Sequence, residues 1–352
     1  MTEDEFFERQ LPVKVTGKKS QNDQQRMVFG GSLDKEYVCI DDDKLSFTHY
    51  KELYNPDAKK TPKDSRFFEY LFTRLRSENS SFRTYLGDLP KGKSGHIPKY
   101  INCFVKNIRE SRRDEGVLGE VACPRIAELL GIDTVYNTVV EKTSPYFESS
   151  GYPEYMKILS VDGTPEGYRF ADFNEVGIIF NFHSDSVESA MLRLEMRIRH
   201  IAKEYQLLMD APIVKKFKED FIKQYFFKNI LCEDEDFWEA NIGMLIGEDG
   251  DFCMAPMFDY EHMFAGRRPP SMYAEIVEQF FDYCKKYGYM HVAKELMDRL
   301  QEVHSQGKID DILYNSVKVR PYAILNASDL INRNVQILNQ AWKEVKSSER
   351  SM

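Results

Sequence analysis

The chain has no run approaching the roughly 20 apolar residues needed to cross a bilayer. Its first ten residues, MTEDEFFERQ, contain neither the basic region nor the apolar stretch of a secretory leader. These absences predict a soluble, non-secreted chain located in the cytoplasm. Cysteine is sparse and unpatterned: Cys39, Cys103, Cys123, Cys232, Cys253 and Cys284 form no C-x-x-C pair. That speaks against a zinc site or disulfide frame, and because most of the six sit in apolar runs they read as reduced core thiols. The histidines show no H-E-x-x-H or other metal-ligand spacing, so polar or packing roles are expected of them. Basic charge is in deficit, with 48 Lys and Arg against 57 Asp and Glu and a net charge of −9. This balance argues against a protein dedicated to coating nucleic acid or an anionic membrane. No internal repeat or long low-complexity segment occurs.

What is present suffices for a substantial core. The 352 residues are 42% hydrophobic and 13% aromatic, and that length predicts two domains or lobes. Residues 1–85 read as a polar N-terminal extension and the start of the first lobe, with Gly30-Gly31 as a turn before a strand. A helix is expected over about 64–77, where Asp64 is a cap and Phe67, Phe68, Leu71 and Leu75 recur at helical spacing. Residues 86–162 read as mixed α and β. They run from the loop GDLPKGKSG (87–95) into the alternating strand KYINCFVKNI, the helical pattern of Val117, Val121, Ile126, Leu129 and Leu130 ended by Gly131, and two strands at 134–141 and 155–161. Residues 163–352 read as mainly helical. Val187, Met191, Leu194, Ile198, Ile201, Tyr205 and Leu208 step by three and four, a helix follows through Phe217, Phe221, Tyr225 and Ile230, and amphipathic segments recur at 274–285, 289–303 and 321–346.

The most informative stretch is EDEDFWEANIGMLIGEDGDFCMAPMFDYEHMF, residues 233–264. Asp249-Gly250 between the strand-like runs IGMLI and FCMAPMF predicts a two-residue hairpin turn. With 248 facing 251, Asn241 falls opposite Phe258 and beside Asp259. Asp236 precedes Asn241 by five positions, and Asp259 follows it by 18. Phosphoryl transfer calls for this set: a carboxylate near the acceptor hydroxyl, and hard oxygen ligands for a magnesium ion that bridges the phosphates. Taken singly, each residue has a plainer role: Asp236 in a solvated acidic loop, Asn241 as a strand cap, Asp259 at a turn.

From Tyr100 to His262 the sequence resembles the HipA-like serine/threonine kinases, whose two-lobed fold is related to that of the phosphoinositide kinases. The resemblance rests on the D-x-x-x-x-N loop at Asp236 and Asn241, the hairpin, and MAPMFDYE, similar to the family's apolar-Ala-Pro-x-aromatic-Asp metal motif. FVK at 104–106 is similar to the strand ending in the nucleotide lysine, and GEVACPRIAELLGI to the helix that follows it. The fold implied is α+β and protein-kinase-like, with a mixed N-lobe and a mainly helical C-lobe. The resemblance implies ATP and Mg2+ as cofactors, Asp236 as the catalytic carboxylate, Asn241 and Asp259 as magnesium ligands, and Lys106 on the ATP phosphates, oriented by Glu120. YMKILSVDG would be the hinge beneath the adenine, with Leu159 and Val161 at the nucleotide. Lys91 and Lys93 would add positive charge in a loop over the phosphates, although GDLPKGKSG matches neither G-x-G-x-x-G nor the Walker pattern and reads equally as an exposed linker. Ser94 in this loop is the implied autophosphorylation site.

The implied function is transfer of the ATP γ-phosphate to a Ser or Thr hydroxyl of a protein substrate. An antitoxin-like regulatory partner is implied too, as is the alternative of an effector translocated into host cells. Three features depart from the family pattern. Trp238 stands where a histidine is usual, the acidic Glu233, Asp234 and Glu235 adjoin the phosphate site, and Pro124 either starts its helix, moving Glu120 off it, or kinks it. The first two favour a pseudokinase or nucleotide-binding regulatory module, and the shared fold leaves a lipid or small-molecule kinase as a further alternative. Arg267 and Arg268 fall where an activation segment would hold substrate or a phosphorylated residue, or else form a basic surface loop ending at Pro269 and Pro270.

Overall fold

The computed structural model describes residues 13–16, 35–41, 100–107, 113–135, 137–142, 154–161, 168–172, 186–207, 209–237, 241–247, 250–266, 268–317 and 319–350. The expected helix at 64–77, Gly30-Gly31, the loop at 87–95 with Lys91, Lys93 and Ser94, and Trp238, Asp249 and Arg267 lie outside these residues. So do the side chains of Cys39, Cys103, Lys106, Leu159 and Val161.

A five-stranded sheet has the order β1-β2-β3-β5-β4, with every neighbouring pair antiparallel. Its strands are β1 (Val13–Thr16), β2 (Lys35–Asp41), β3 (Tyr100–Asn107), β4 (Asn137–Lys142) and β5 (Glu154–Val161). Between β3 and β4 runs α1 (Arg113–Leu129), unbroken across Pro124. The proline costs the helix one bond, since it has no N–H to give the Glu120 carbonyl, but Glu120 stays on the helix. Asp114 and Glu115 in the first turn suit its positive end. At the other end Gly131, at φ 71°, supports a closing pair of bonds, from Gly131 N to the Glu128 carbonyl and from Ile132 N to the Ala127 carbonyl, both 3.0 Å. The strand expected at 134–141 begins only at Asn137. Thr134 instead forms a parallel bridge with Met257.

A second sheet, β6-β7-β8, consists of β6 (Tyr168–Asp172), β7 (Gly243–Gly247) and β8 (Phe252–Met254). The expected two-residue turn is replaced by a three-residue connection. Gly247 N bonds the Asp251 carbonyl (2.9 Å), Gly250 N bonds the Gly247 carbonyl (3.1 Å), and Gly250 takes the left-handed conformation at φ 79°. The register moves by one: Met244 faces Met254, Ala255 N bonds the Gly243 carbonyl, and the same ladder extended places Asn241 at the level of Met257 rather than Phe258.

The remaining elements are helical: α2 (Val187–Tyr205), α3 (Ala211–Tyr225) continuing into a π-turn (Phe226–Leu231), α4 (Pro270–Tyr287), α5 (Met290–Ser305), α6 (Lys308–Asn315) and α7 (Pro321–Arg350). No helix among the described residues is long and apolar enough to cross a membrane. The helical periodicity holds because every third or fourth residue of α2 (Val187, Met191, Leu194, Ile198, Ile201) is buried, with the Ser186 hydroxyl accepting the Ser189 N–H at the start. Phe226, Phe280, Phe281 and Trp342 interlock at 5.3–5.6 Å between ring centroids, and truncating one such ring typically costs about 3–5 kcal/mol. One continuous apolar cluster runs from Val117 of α1, through Ile158 of β5, to Trp342 of α7, and so crosses the boundary expected near residue 162. The four described cysteine side chains, Cys123, Cys232, Cys253 and Cys284, are buried free thiols, and burial pushes Cys284 up to about 12.

Helix α1 reaches this core at very close range. A Cβ added to Gly119 would lie 2.3 Å from the Tyr260 carbonyl oxygen, a backbone atom that cannot swing aside. Gly119→Ala is therefore expected to destabilise the protein by about 1–3 kcal/mol, read from the midpoint of chemical denaturation; an unchanged midpoint would refute this close packing.

Candidate active site

Two loops and α1 converge on one place. The first loop leaves the π-turn, where the widened backbone gives the bonds Cys232 N to the Phe227 carbonyl (3.0 Å) and Asp234 N to the Lys228 carbonyl (2.8 Å). Asp234 Oδ1 accepts the Asp236 N–H at 3.0 Å. The Asn241 amide nitrogen donates to both the carbonyl (2.7 Å) and the carboxylate (3.3 Å) of Asp236. Because both partners are pure acceptors, the NH2 of Asn241 must face them. Its amide oxygen is left for another ligand. Phe237 packs between Phe221 and Tyr225 and roots the loop on α3.

The second loop follows β8. Its course is set by Gln224 donating to the Ala255 carbonyl (2.7 Å) and by bonds between Met257 and the backbone of Asp133 and Val135. Phe258 meets Phe170 edge-on at 5.6 Å, and the Phe170 ring occupies the space where a side chain at Gly243 would stand. Asp259 then takes φ 60°, a left-handed conformation unusual for a non-glycine residue, sustained only where surroundings over-determine it. Those surroundings are visible. Lys228 Nζ donates to the carbonyls of Phe258 (3.0 Å) and Asp259 (3.1 Å), while the Tyr260 N–H, immediately beyond, donates to Glu120 Oε1 (3.1 Å).

Glu120 is 1% exposed, and its other oxygen accepts the Asn137 amide at 2.7 Å. Helix α1, the start of β4 and the Asp259 loop thus meet on one carboxylate. In the sheet, position 106 pairs with Ile158, which pairs with Val139, and two rows along the ladder stand Phe104, Ser160 and Asn137. Strand pleating puts alternate rows on one face, so Ile158 and Asn137 share the face that meets α1, and position 106 stands in the row of Ile158.

The acidic run behaves differently from the expectation of a repulsive surface. Glu233 and Asp234 are 0% exposed; of the run only Glu235 faces solvent. Asp234 lies 3.4 Å from Lys228 Nζ. Burial pushes its carboxyl above the ordinary range, and the lysine opposes that rise. Glu233, at φ 48°, accepts from Arg333 and from Asn334 (3.0 Å) of α7 and from Arg268 N (3.0 Å), while its carbonyl accepts Gly266 N (3.1 Å). It ties the segment after Asp259 to the last helix. Arg268, expected as a phosphate- or substrate-holding arginine or part of a surface loop, is neither: it is buried, and its guanidinium donates to the carbonyl and side-chain oxygen of Asn229 in the π-turn.

Among the described residues no group of three or more His, Cys, Asp or Glu is placed to hold a metal. The Asn241 amide oxygen and the half-exposed Asp259 carboxylate are hard oxygen donors. They fit Mg2+, which characteristically takes one or two protein ligands and completes its shell with phosphate and water. Several members of the site escape sequence reading. Lys228 carried a signal, a lone charge inside the apolar run FFKNIL; Arg333, a hundred residues from Glu233, carried none.

No protein-family model matches the chain, and no curated protein matches it. Among solved structures it is similar to the Helicobacter pylori proinflammatory kinase CtkA, with 13% identity and a TM-score of 0.43 over 70% of this chain and 92% of that one. It is also similar to a chain of the Shewanella oneidensis MR-1 toxin-antitoxin complex of HipA, HipB and operator DNA, with 13% identity and a TM-score of 0.39 over 70% and 62%. Overlap this partial assigns no activity.

Glu233→Ala removes the shared acceptor of Arg333, Asn334 and the Arg268 amide. It is expected to cost about 3 kcal/mol and to speed hydrogen exchange at the amides of Gly266 and Arg268. Unchanged protection of those amides would refute the tie to α7.

Proposed function

We propose that the chain is an ATP-dependent phosphotransferase, a HipA-like kinase acting on a Ser or Thr hydroxyl of a protein substrate. The observation that carries this reading is the Asp236–Asn241 pair. The amide of Asn241 is anchored on Asp236, so that its oxygen remains for a cation beside the Asp236 carboxylate.

In this reading Asp236 receives or orients the acceptor hydroxyl, and Asn241 and Asp259 hold magnesium. When bound, the ion neutralises charge on the phosphates that it bridges. Lys106, in the ladder row of Ile158, contacts the same phosphates, with Glu120 as its orienting carboxylate. Leu159 and Val161 sit along the adenine at the end of β5, and Lys93 of the preceding loop adds positive charge. Ser94 is the autophosphorylation target, and a regulatory partner of antitoxin type belongs to the same reading. The acidic run gives no support to a pseudokinase, because Glu233 and Asp234 are consumed inside the fold.

Purified wild type, Asp236→Ala and Asp259→Ala are to be incubated with γ-labelled ATP and Mg2+, then examined by intact mass and peptide mapping. Label is expected on wild type, including Ser94, and transfer is expected to fall by about 100-fold or more in either variant. Undiminished transfer in both variants would remove the site assignment. Magnesium-dependent ATP binding without transfer in wild type, even with protein substrates added, would turn the reading toward the pseudokinase.

A further inference from the structure

Lys228 is the least expected charge in the molecule. It is 0% exposed, inside the π-turn, with the rings of Phe237 and Tyr260 at 5.7 and 5.5 Å from its ammonium. An ammonium brought this far from water must be compensated at every donor. Here the compensation comes from two different loops: the Asp234 carboxylate at 3.4 Å on one side, the Phe258 and Asp259 carbonyls at 3.0 and 3.1 Å on the other. Each contact leads one step further to a site residue. Asp234 receives the backbone N–H of Asp236 and so sets where that carboxylate stands. The two carbonyls bracket the left-handed φ of Asp259 and so set where its carboxylate leaves the backbone.

We propose that Lys228 is a positioning residue: it fixes the metal-binding Asp259 loop against the Asp236 loop, and with it the spacing of the groups that hold the metal-nucleotide. The inference rests on the kinase reading above. Lys228 touches neither substrate nor metal in it and acts only through Asp234 and Asp259. The ammonium also places one positive charge among the carboxylates of Asp234, Asp236 and Asp259, two of which bear on the ionisation of the third. Removing it therefore both loosens the geometry and leaves the acidic groups uncompensated.

Lys228→Met alone strands the Asp234 carboxylate in the core and risks unfolding. The double variant Lys228→Met/Asp234→Asn removes both charges while keeping shape, and its Asn side chain still offers an oxygen to Asp236 N–H. Binding of a non-hydrolysable ATP analogue is to be titrated with Mg2+ by calorimetry on wild type and on the double variant, after circular dichroism verifies the fold. The Mg2+ concentration at half-saturation is expected to rise by about tenfold or more in the variant, in line with losses at other outer-shell partners of metal ligands. In transfer assays kcat is expected to fall by about 10- to 100-fold, with KM for the protein substrate little changed. A folded double variant with wild-type metal dependence would overturn the role of Lys228 and leave the kinase reading standing. A double variant that does not fold would overturn it as well, by showing that the pair serves stability. Absence of any metal-dependent analogue binding by wild type would overturn the kinase reading itself, and this inference with it.

Discussion

A lysine ammonium enclosed among Asp234, two backbone carbonyls and two aromatic rings is the constraint on which the described site depends. A buried ion pair is a poor source of net stability, because the cost of taking both ions out of water offsets most of their attraction. An apolar pair of the same shape would hold the core as well. What charge adds is direction. Lys228 donates to two backbone carbonyls, those of Phe258 and Asp259, and pairs by charge with the Asp234 carboxylate at 3.4 Å. Two loops that are separate in sequence are thereby held at one distance.

Around this node the same logic recurs with different chemistry. Glu120 gathers α1, β4 and the Asp259 loop onto one carboxylate. Glu233 gathers the Asp236 loop, the segment reaching α4, and α7 onto another. In each case a buried acid accepts N–H groups from elements far apart in the chain, including backbone amides that no helix or strand satisfies, and each such amide would cost about 1–3 kcal/mol if left bare. Gly119 lets α1 come near enough to the Tyr260 backbone for the first arrangement to form. Left-handed conformations at Glu233 and Asp259 are local strain sustained by these contacts.

The position of the strained residues accords with their chemistry. Asp259 is one of the two metal ligands of the proposed reaction, and its backbone is clamped on both sides before any nucleotide arrives. Prearranged groups of this kind need little reorganisation when charge develops at the transferred phosphoryl. The π-turn contributes in the same way. By admitting an extra residue into the turn it points both Lys228 and Asn229 inward, one to the Asp259 loop and the other to Arg268.

Much of this molecule was legible in its residues. The 3.6-residue recurrence from Val187 to Ile201 and in the segments beyond 271 yields helices because burial of one face is a local, periodic property. The spacing from Asp236 to Asn241 likewise marks a real contact, being short enough for one loop to set. The hairpin shows where local reading stops: Asp249-Gly250 marks a reversal, but whether the loop takes two residues or three was decided by where positive φ is tolerated, at Gly250. Glu233 and Asp234 look like a solvated acidic surface until Arg333 and Lys228 are seen beside them. Pro124 reads as a break until α1 is held on both sides of it by packing. Composition, periodicity and short spacings are written in the chain because they depend on neighbours within a few residues. The pairing of buried charges, the approach of α1 to Tyr260 and the clamp on Asp259 depend on elements up to a hundred or more residues apart, and only the folded core brings those together.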